Sequence, residues 1–235
     1  RVLFRSKGFS YFTEMSDIIN RLEDHVASAR MKTTPVIDFE KNESLKGLDY
    51  LDTIYHAIVN EHPIQLKYRS FKARSANSFI FYPYLLKEYR NRWFVYGVRG
   101  NGRILQNLAL DRIQSLEVLP QEHYIKNTFF DPNTFFDDLV GVTKNSGSVA
   151  EKIGFKVAAA EAPYIITKPI HRSQQVVERL ADGSVILEIE VVINHELERV
   201  FFGYAEGIQI LYPKTLVELM GRKLKKAAEQ YTHSK

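Results

Sequence analysis

The chain has 235 residues, of which 45% are hydrophobic and 26% charged, with a formal net charge of +4 and no cysteine. This composition suits one or two folded domains and excludes wholesale disorder; it also excludes disulfides, thiolate metal sites and cysteine nucleophiles. No apolar run is long enough to span a bilayer as a helix, and no secretory leader is visible.

The N-terminal residues 1–12 are basic and aromatic and read as the tail of a strand or wing. Ile18, Ile19, Leu22 and Val26 recur at helical spacing and predict a helix over 16–30, stopped by Thr33-Thr34-Pro35. Residues 36–46 read as linker. A second helix is expected over 48–60, with Leu48, Leu51, Ile54, Tyr55 and Ile58 on one stripe. The period then changes to two. Ile64, Leu66 and Tyr68 face one way and Gln65, Lys67 and Arg69 the other, predicting a strand over 64–71. Further strands are expected at 79–86, 93–98, 104–110 and 113–118, with Gly100-Asn101-Gly102 as a turn. Five short strands in succession predict a small SH3- or Sm-like β-barrel, which leaves no strand edge open.

Residues 127–148 read as a connector ending in a Gly/Ser stretch. Beyond it, a strand at 152–158, a short helix at 160–167 and a hairpin of 171–180 with 185–193 are expected. The hairpin turns at Ala181-Asp182-Gly183-Ser184. Asn194 is placed to cap a helix reaching 205, a strand follows at 208–211, and Pro213 opens a long helix. This βαββαβ order predicts a ferredoxin-like domain, and the fold class is α+β. The expected domains are an N-terminal remnant and linker helix at 1–47, the barrel at 48–126, the connector at 127–148 and the ferredoxin-like domain at 149–235.

Charge is concentrated in the barrel region. From 67 to 103 lie Lys67, Arg69, Lys72, Arg74, Lys87, Arg90, Arg92, Arg99 and Arg103, opposed only by Glu88. Such a field suits a phosphate-bearing partner, although a solvated basic face has the same composition. Arg69, Arg92, Arg103 and Arg112 fall on or beside strands expected to be neighbours, interleaved with Tyr68, Tyr82 and Tyr96. Guanidinium forks meet phosphate in a bidentate way and aromatic rings stack on bases. The candidate ligand-binding residues are therefore Tyr68, Arg69, Ser70, Arg92, Tyr96, Arg103 and Arg112. Tyr68 alternates with Ile64 and Leu66 and so also reads as core, and Arg112 has Asp111 beside it as an ion-pair partner. No catalytic residue, metal site or cofactor is expected: the seven histidines are scattered, and no nucleophile elbow or phosphate-binding glycine loop is present.

The runs Ile64–Phe71, Tyr82–Val98 and Leu108–Ile113 together resemble the WYL domain of bacterial transcriptional regulators, with Trp93-Phe94-Val95 at the eponymous triplet. The C-terminal half resembles the extension that follows such domains. Its signals are His171-Arg172-Ser173-Gln174, Asp182-Gly183, Glu196-Leu197 and Gln209-Ile210-Leu211-Tyr212-Pro213. Gln106 and Ala109 stand where many relatives carry basic residues. The resemblance implies a cytoplasmic homodimer that senses a nucleotide or nucleic-acid ligand. It also implies operator DNA bound through a winged helix-turn-helix preceding Arg1, so that this chain is a fragment. A ligand-free dimerisation module and a nucleic-acid-processing enzyme are the competing readings.

Overall fold

The computed structural model describes residues 46–232, apart from Asn101, Arg103 and Phe129. The predicted strand at 1–12, the helix at 16–30 and the candidate Arg103 lie outside the described residues. Two compact units divide between Phe130 and Asp131. The class is α+β, with two antiparallel sheets of five and four strands.

In the first unit a 3-10 turn, Leu48–Tyr50, leads into helix α1, Leu51–Val59. Then come β1 (Ile64–Tyr68), β2 (Asn77–Tyr89), β3 (Arg92–Arg99), β4 (Gln106–Ala109) and β5 (Ile113–Val118). The strand order is β4-β3-β2-β1-β5. The β2–β3 hairpin closes on Arg90 and Asn91, both left-handed, the geometry of a two-residue turn that matches strand twist. The core lies between the sheet and α1. Leu51, Ile54 and Ala57 meet Ile64, Leu66, Phe81, Trp93 and Val95, as the alternation in β1 requires.

Closure into a barrel is not observed: among the described residues no ladder joins β4 to β5. β4 is only four residues long, and a second 3-10 turn, Leu110–Arg112, occupies the gap between the two edges. That turn packs against Gly47, where an added Cβ would lie 2.4 Å from the Leu110 carbonyl and φ is +82°. The opposite face of β2–β3 is also covered. Tyr84 donates to the Ile125 carbonyl at 2.9 Å, Tyr124 donates to the Pro83 carbonyl, and Phe130 stacks on Tyr96.

The second unit runs β6 (Glu151–Val157), α2 (Ala162–Thr167), β7 (Gln175–Arg179), β8 (Val185–Val191), α3 (His195–Phe202), β9 (Ile208–Tyr212) and α4 (Lys214–Thr232). Its sheet order is β7-β8-β6-β9, with β7 an exposed edge. Alternate residues of β6 and β8 point inward, and Phe155 meets Phe201 edge-on at 5.3 Å. Pro163 sits in the first turn of α2, where no N–H is needed. β7 starts at Gln175 and not at 171, because residues 171–174 form a tight turn. There the Gln174 N–H bonds the His171 carbonyl, and the Gln174 amide ties Ile170 to Ile165.

Asn194 caps α3 as expected, its Oδ1 accepting from the Leu197 N–H at 2.8 Å. The helix ends at Phe202, three residues short of the expected 205, where a third 3-10 turn begins the return to β9. The segment read as a connector is structural from 131 onward. Val140 is in the second core, and the Asn194 amide donates to the Val140 and Thr143 carbonyls, each at 3.0 Å. The Val192 N–H bonds the Asp138 carbonyl at 2.8 Å.

Candidate anion-binding site

The end of β1 and the start of β3 are separated by β2 in the sheet, yet the sheet curls enough to bring them to one corner. Register explains how. Phe94 pairs with Ala109 in β4, and Tyr68 pairs with Ile113 in β5. The three residues between Ala109 and Ile113 therefore bridge from beside β3 to beside β1. Asp111 meets Arg92 there, with Oδ2 3.3 Å from Nε, and its Oδ1 lies 3.9 Å from Arg112 Nε. The Arg112 guanidinium sits 4.5 Å from the centre of the Phe71 ring. The Arg69 N–H bonds the Arg112 carbonyl at 3.1 Å, and Ser70 lies between Arg69 and Phe71 in the chain. The Tyr68 hydroxyl is pushed above its usual pKa by burial, although the Arg112 cation and hydrogen bonds to Ala109 and Arg112 draw it down.

Tyr68, Arg69, Ser70, Arg92 and Arg112 are thus gathered into one region. Tyr96 is not part of it. It shares a face of β3 with Arg92 but lies four residues along, roughly 13 Å away. It is 2% exposed and lies parallel to Phe130, with ring centres 6.0 Å apart. Its ring is core material and not a stacking surface for a ligand. Arg99 covers Phe79 at 4.2 Å and Arg90 covers Tyr89 at 5.5 Å, so these cations serve other parts of the sheet. Lys72 and Arg74 lie exposed on the loop that carries Phe71.

Sequence reasoning missed two participants. Phe71 is 73% exposed, with one face against a guanidinium, which is the arrangement of a stacking platform. An aromatic three residues past Tyr68, amid Arg69, Lys72 and Arg74, was the available signal. Asp111 was read as a partner for Arg112 alone, while the fold also gives it Arg92.

The second unit offers a different surface. A cavity of about 470 Å³ is lined by Asp137, Asp138, Ala150, Arg172, Ser173 and Glu190. Arg172 pairs with Asp137 at 2.7 Å, so carboxylates dominate the lining and no anion is favoured. Beside it, burial and the Arg172 cation press the His171 imidazole below its ordinary pKa; its Nδ1 already accepts from the Ser173 N–H at 3.2 Å. The unfolded chain takes up a proton near pH ~6.5 that the folded state resists. Stability is therefore expected to fall as pH drops from above that value toward the lowered folded pKa, and to level off below it. Urea unfolding across this window should show the loss, and His171→Gln should remove it.

Among the described residues, no group of three His, Asp or Glu is placed to hold a metal, and no helix is long and apolar enough to cross a membrane.

The family model described as the WYL domain matches residues 49–118, and that of the WCX domain matches residues 150–228. Among solved structures, the chain is similar to proteasome accessory factor B/C (PafBC) of Arthrobacter aurescens, at 16% identity and a TM-score of 0.33. That alignment covers 82% of this chain and 28% of the other. A CRISPR Cas-related protein is similar at 14% identity and a TM-score of 0.48, over 79% of this chain and 53% of the other. The chain thus spans about a quarter of the first of these and about half of the second. No curated protein matches it.

Proposed function

Because the chain carries a WYL domain followed by a WCX domain, we propose that it is the ligand-sensing part of a transcriptional regulator and that a nucleotide or single-stranded nucleic acid binds the corner around Phe71. The observation that carries this reading is the exposed Phe71 ring backed by the guanidinium of Arg112, a residue that shares Asp111 with Arg92 and accepts a backbone hydrogen bond from Arg69 through its carbonyl. A base stacks on the outer face of Phe71. Its phosphates meet Arg69 and the outward-facing donors of Arg92, whose side chain is 48% exposed. Ligand binding then shifts the balance between two arrangements of the regulator and alters operator affinity. Operator contact through a preceding winged helix-turn-helix, homodimeric assembly and a cytoplasmic location belong to the same proposal. They rest on family resemblance.

The strand order and the 3-10 turn between β4 and β5 support a half-open Sm- or SH3-like barrel for residues 48–126. The order β7-β8-β6-β9 within a βαββαβ chain supports a ferredoxin-like domain for 149–235, with Val140 of the preceding segment in its core. No catalytic step is assigned: the carboxylate nearest the arginines, Asp111, is engaged by two guanidinium groups.

The test is binding of a labelled single-stranded oligonucleotide at several salt concentrations. Phe71→Ala is expected to weaken binding between about fivefold and a hundredfold, the range for one lost base stack. Folding should be undisturbed, because the ring is mostly in solvent. Arg92→Ala is expected to weaken binding and to flatten its salt dependence. No binding by the unaltered protein at the lowest salt refutes the reading. A ligand-free dimerisation scaffold is the second reading, favoured by Asp111, whose single charge offsets part of the Arg92 and Arg112 pair. It predicts that no nucleotide raises the melting temperature.

A further inference from the structure

We propose that Asp111 is an internal counter-anion that competes with the ligand's phosphate for Arg92, and so sets the threshold at which the site fills. The inference rests on reading the corner around Phe71 as a phosphate-binding site. It adds a regulatory element that this reading does not require.

Three observations support it. First, one carboxylate serves two cations. Asp111 Oδ2 is 3.3 Å from Arg92 Nε and Oδ1 is 3.9 Å from Arg112 Nε, while the Asp111 side chain is only 14% exposed. Second, the pair on the Arg112 side is incompletely satisfied. Among the described residues, Asp111 Oδ1 and Arg112 Nε are both buried and have no hydrogen-bond partner. A buried carboxylate oxygen and a buried guanidinium N–H in that state are held by charge alone, at a desolvation cost that a well-formed bidentate pair would offset. Third, the two arginines differ in freedom. Arg112 is pinned by the Phe71 ring, by the Tyr68 hydroxyl and by its own carbonyl, which accepts from Arg69. Arg92 stands at the first position of β3 with half its side chain in solvent. Arg92 is therefore the group that can change partners.

The chemistry follows from these positions. A phosphate that reaches Arg92 comes within a few ångströms of the Asp111 carboxylate, and like charges repel strongly in a half-buried site. Inorganic phosphate alone gains too little from the exposed guanidinium groups to overcome that repulsion. A ligand that also stacks a base on Phe71 adds the missing free energy. The carboxylate thus makes the corner selective for an anion attached to an aromatic ring system, that is, a nucleotide unit, over free phosphate. Specificity here comes from a repulsive element as much as from an attractive one.

The experiment compares the unaltered chain with Asp111→Asn, using a labelled single-stranded oligonucleotide and, separately, inorganic phosphate as probes. Asp111→Asn is expected to bind the oligonucleotide roughly tenfold more tightly at about 50 mM salt. Its salt dependence should be steeper by about 0.7 in logarithmic slope, the increment for one further phosphate neutralised on a single strand. Inorganic phosphate should raise the melting temperature of Asp111→Asn and not that of the unaltered chain. In an Arg92→Gln background the gain from Asp111→Asn should largely disappear. Asp111→Ser, read in the same assays, covers the case in which the asparagine variant does not fold. If the unaltered chain binds and neither variant binds more tightly, Asp111 positions the arginines instead of competing for them, and this proposal falls while the site reading stands. If neither the unaltered chain nor a folded variant binds at low salt, the site reading falls and this proposal with it.

Discussion

Gly97→Ala is expected to destabilise the first unit by about 3 kcal/mol or more, toward the upper end of overpacking costs. Gly97 lies in β3 opposite Pro83, and a Cβ there would sit 2.1 Å from the Tyr82 carbonyl oxygen and 2.7 Å from the Phe81 ring. Phe81 is fully buried, and the Tyr82 carbonyl belongs to the strand that pairs with β3. Neither can retreat without breaking the ladder or the core. Trp93 is the sole tryptophan and lies on the same buried side of β3, so its fluorescence reports this unit. A fall in melting temperature of roughly 10–20 °C followed at Trp93 is the expected result. A fall of a few degrees would show that the strands part more easily than the register implies.

Asn194→Ala is expected to cost the second unit about 3 kcal/mol or more, through two separable losses. The Oδ1 atom caps α3, and loss of such a cap costs about 0.5–2 kcal/mol. The amide hydrogens satisfy the carbonyls of Val140 and Thr143, and each buried group left unpaired costs about 1–3 kcal/mol. Asn194→Ser retains a capping oxygen but removes the amide donors, so its stability should fall between the two. Urea unfolding followed by far-ultraviolet circular dichroism separates the three proteins. In Asn194→Ala the Val192 amide should exchange faster, because its acceptor is the Asp138 carbonyl in the segment that Asn194 holds.

The sequence made the periodic elements legible and left the coverings and corners hidden. β1 and β8 each bury one face, so their alternation shows directly. In β3, Val95, Tyr96 and Val98 are all buried, and alternation disappears. The cause is remote: Tyr124 and Phe130 cover the outer face, and nothing local to Tyr96 reveals that Phe130 will stack on it. Tyr96 therefore read as a strand-borne aromatic open to ligand. Barrel closure was equally invisible, since it depends on how far the short β4 extends toward β5. At the candidate site, residue types were legible and partners were not. Tyr68, Arg69 and Arg112 follow from the strand pattern, whereas Phe71 sits on an aperiodic loop. The meeting of Asp111 with Arg92 follows from the pairing of β3 with β4, a non-local register that the residues themselves do not announce. Asn194 was readable because capping is a local event that needs no tertiary contact.

β7 has an implication for how this chain behaves at high concentration. All five of its residues are exposed, two are adjacent valines, and among the described residues it pairs with β8 alone. A bare strand edge of this kind is a template for fibril growth. The irregularity between Val176 and Glu178 twists the edge out of a flat ladder, and Glu178 and Arg179 charge its far end. These two devices act as gatekeepers against amyloid-like stacking.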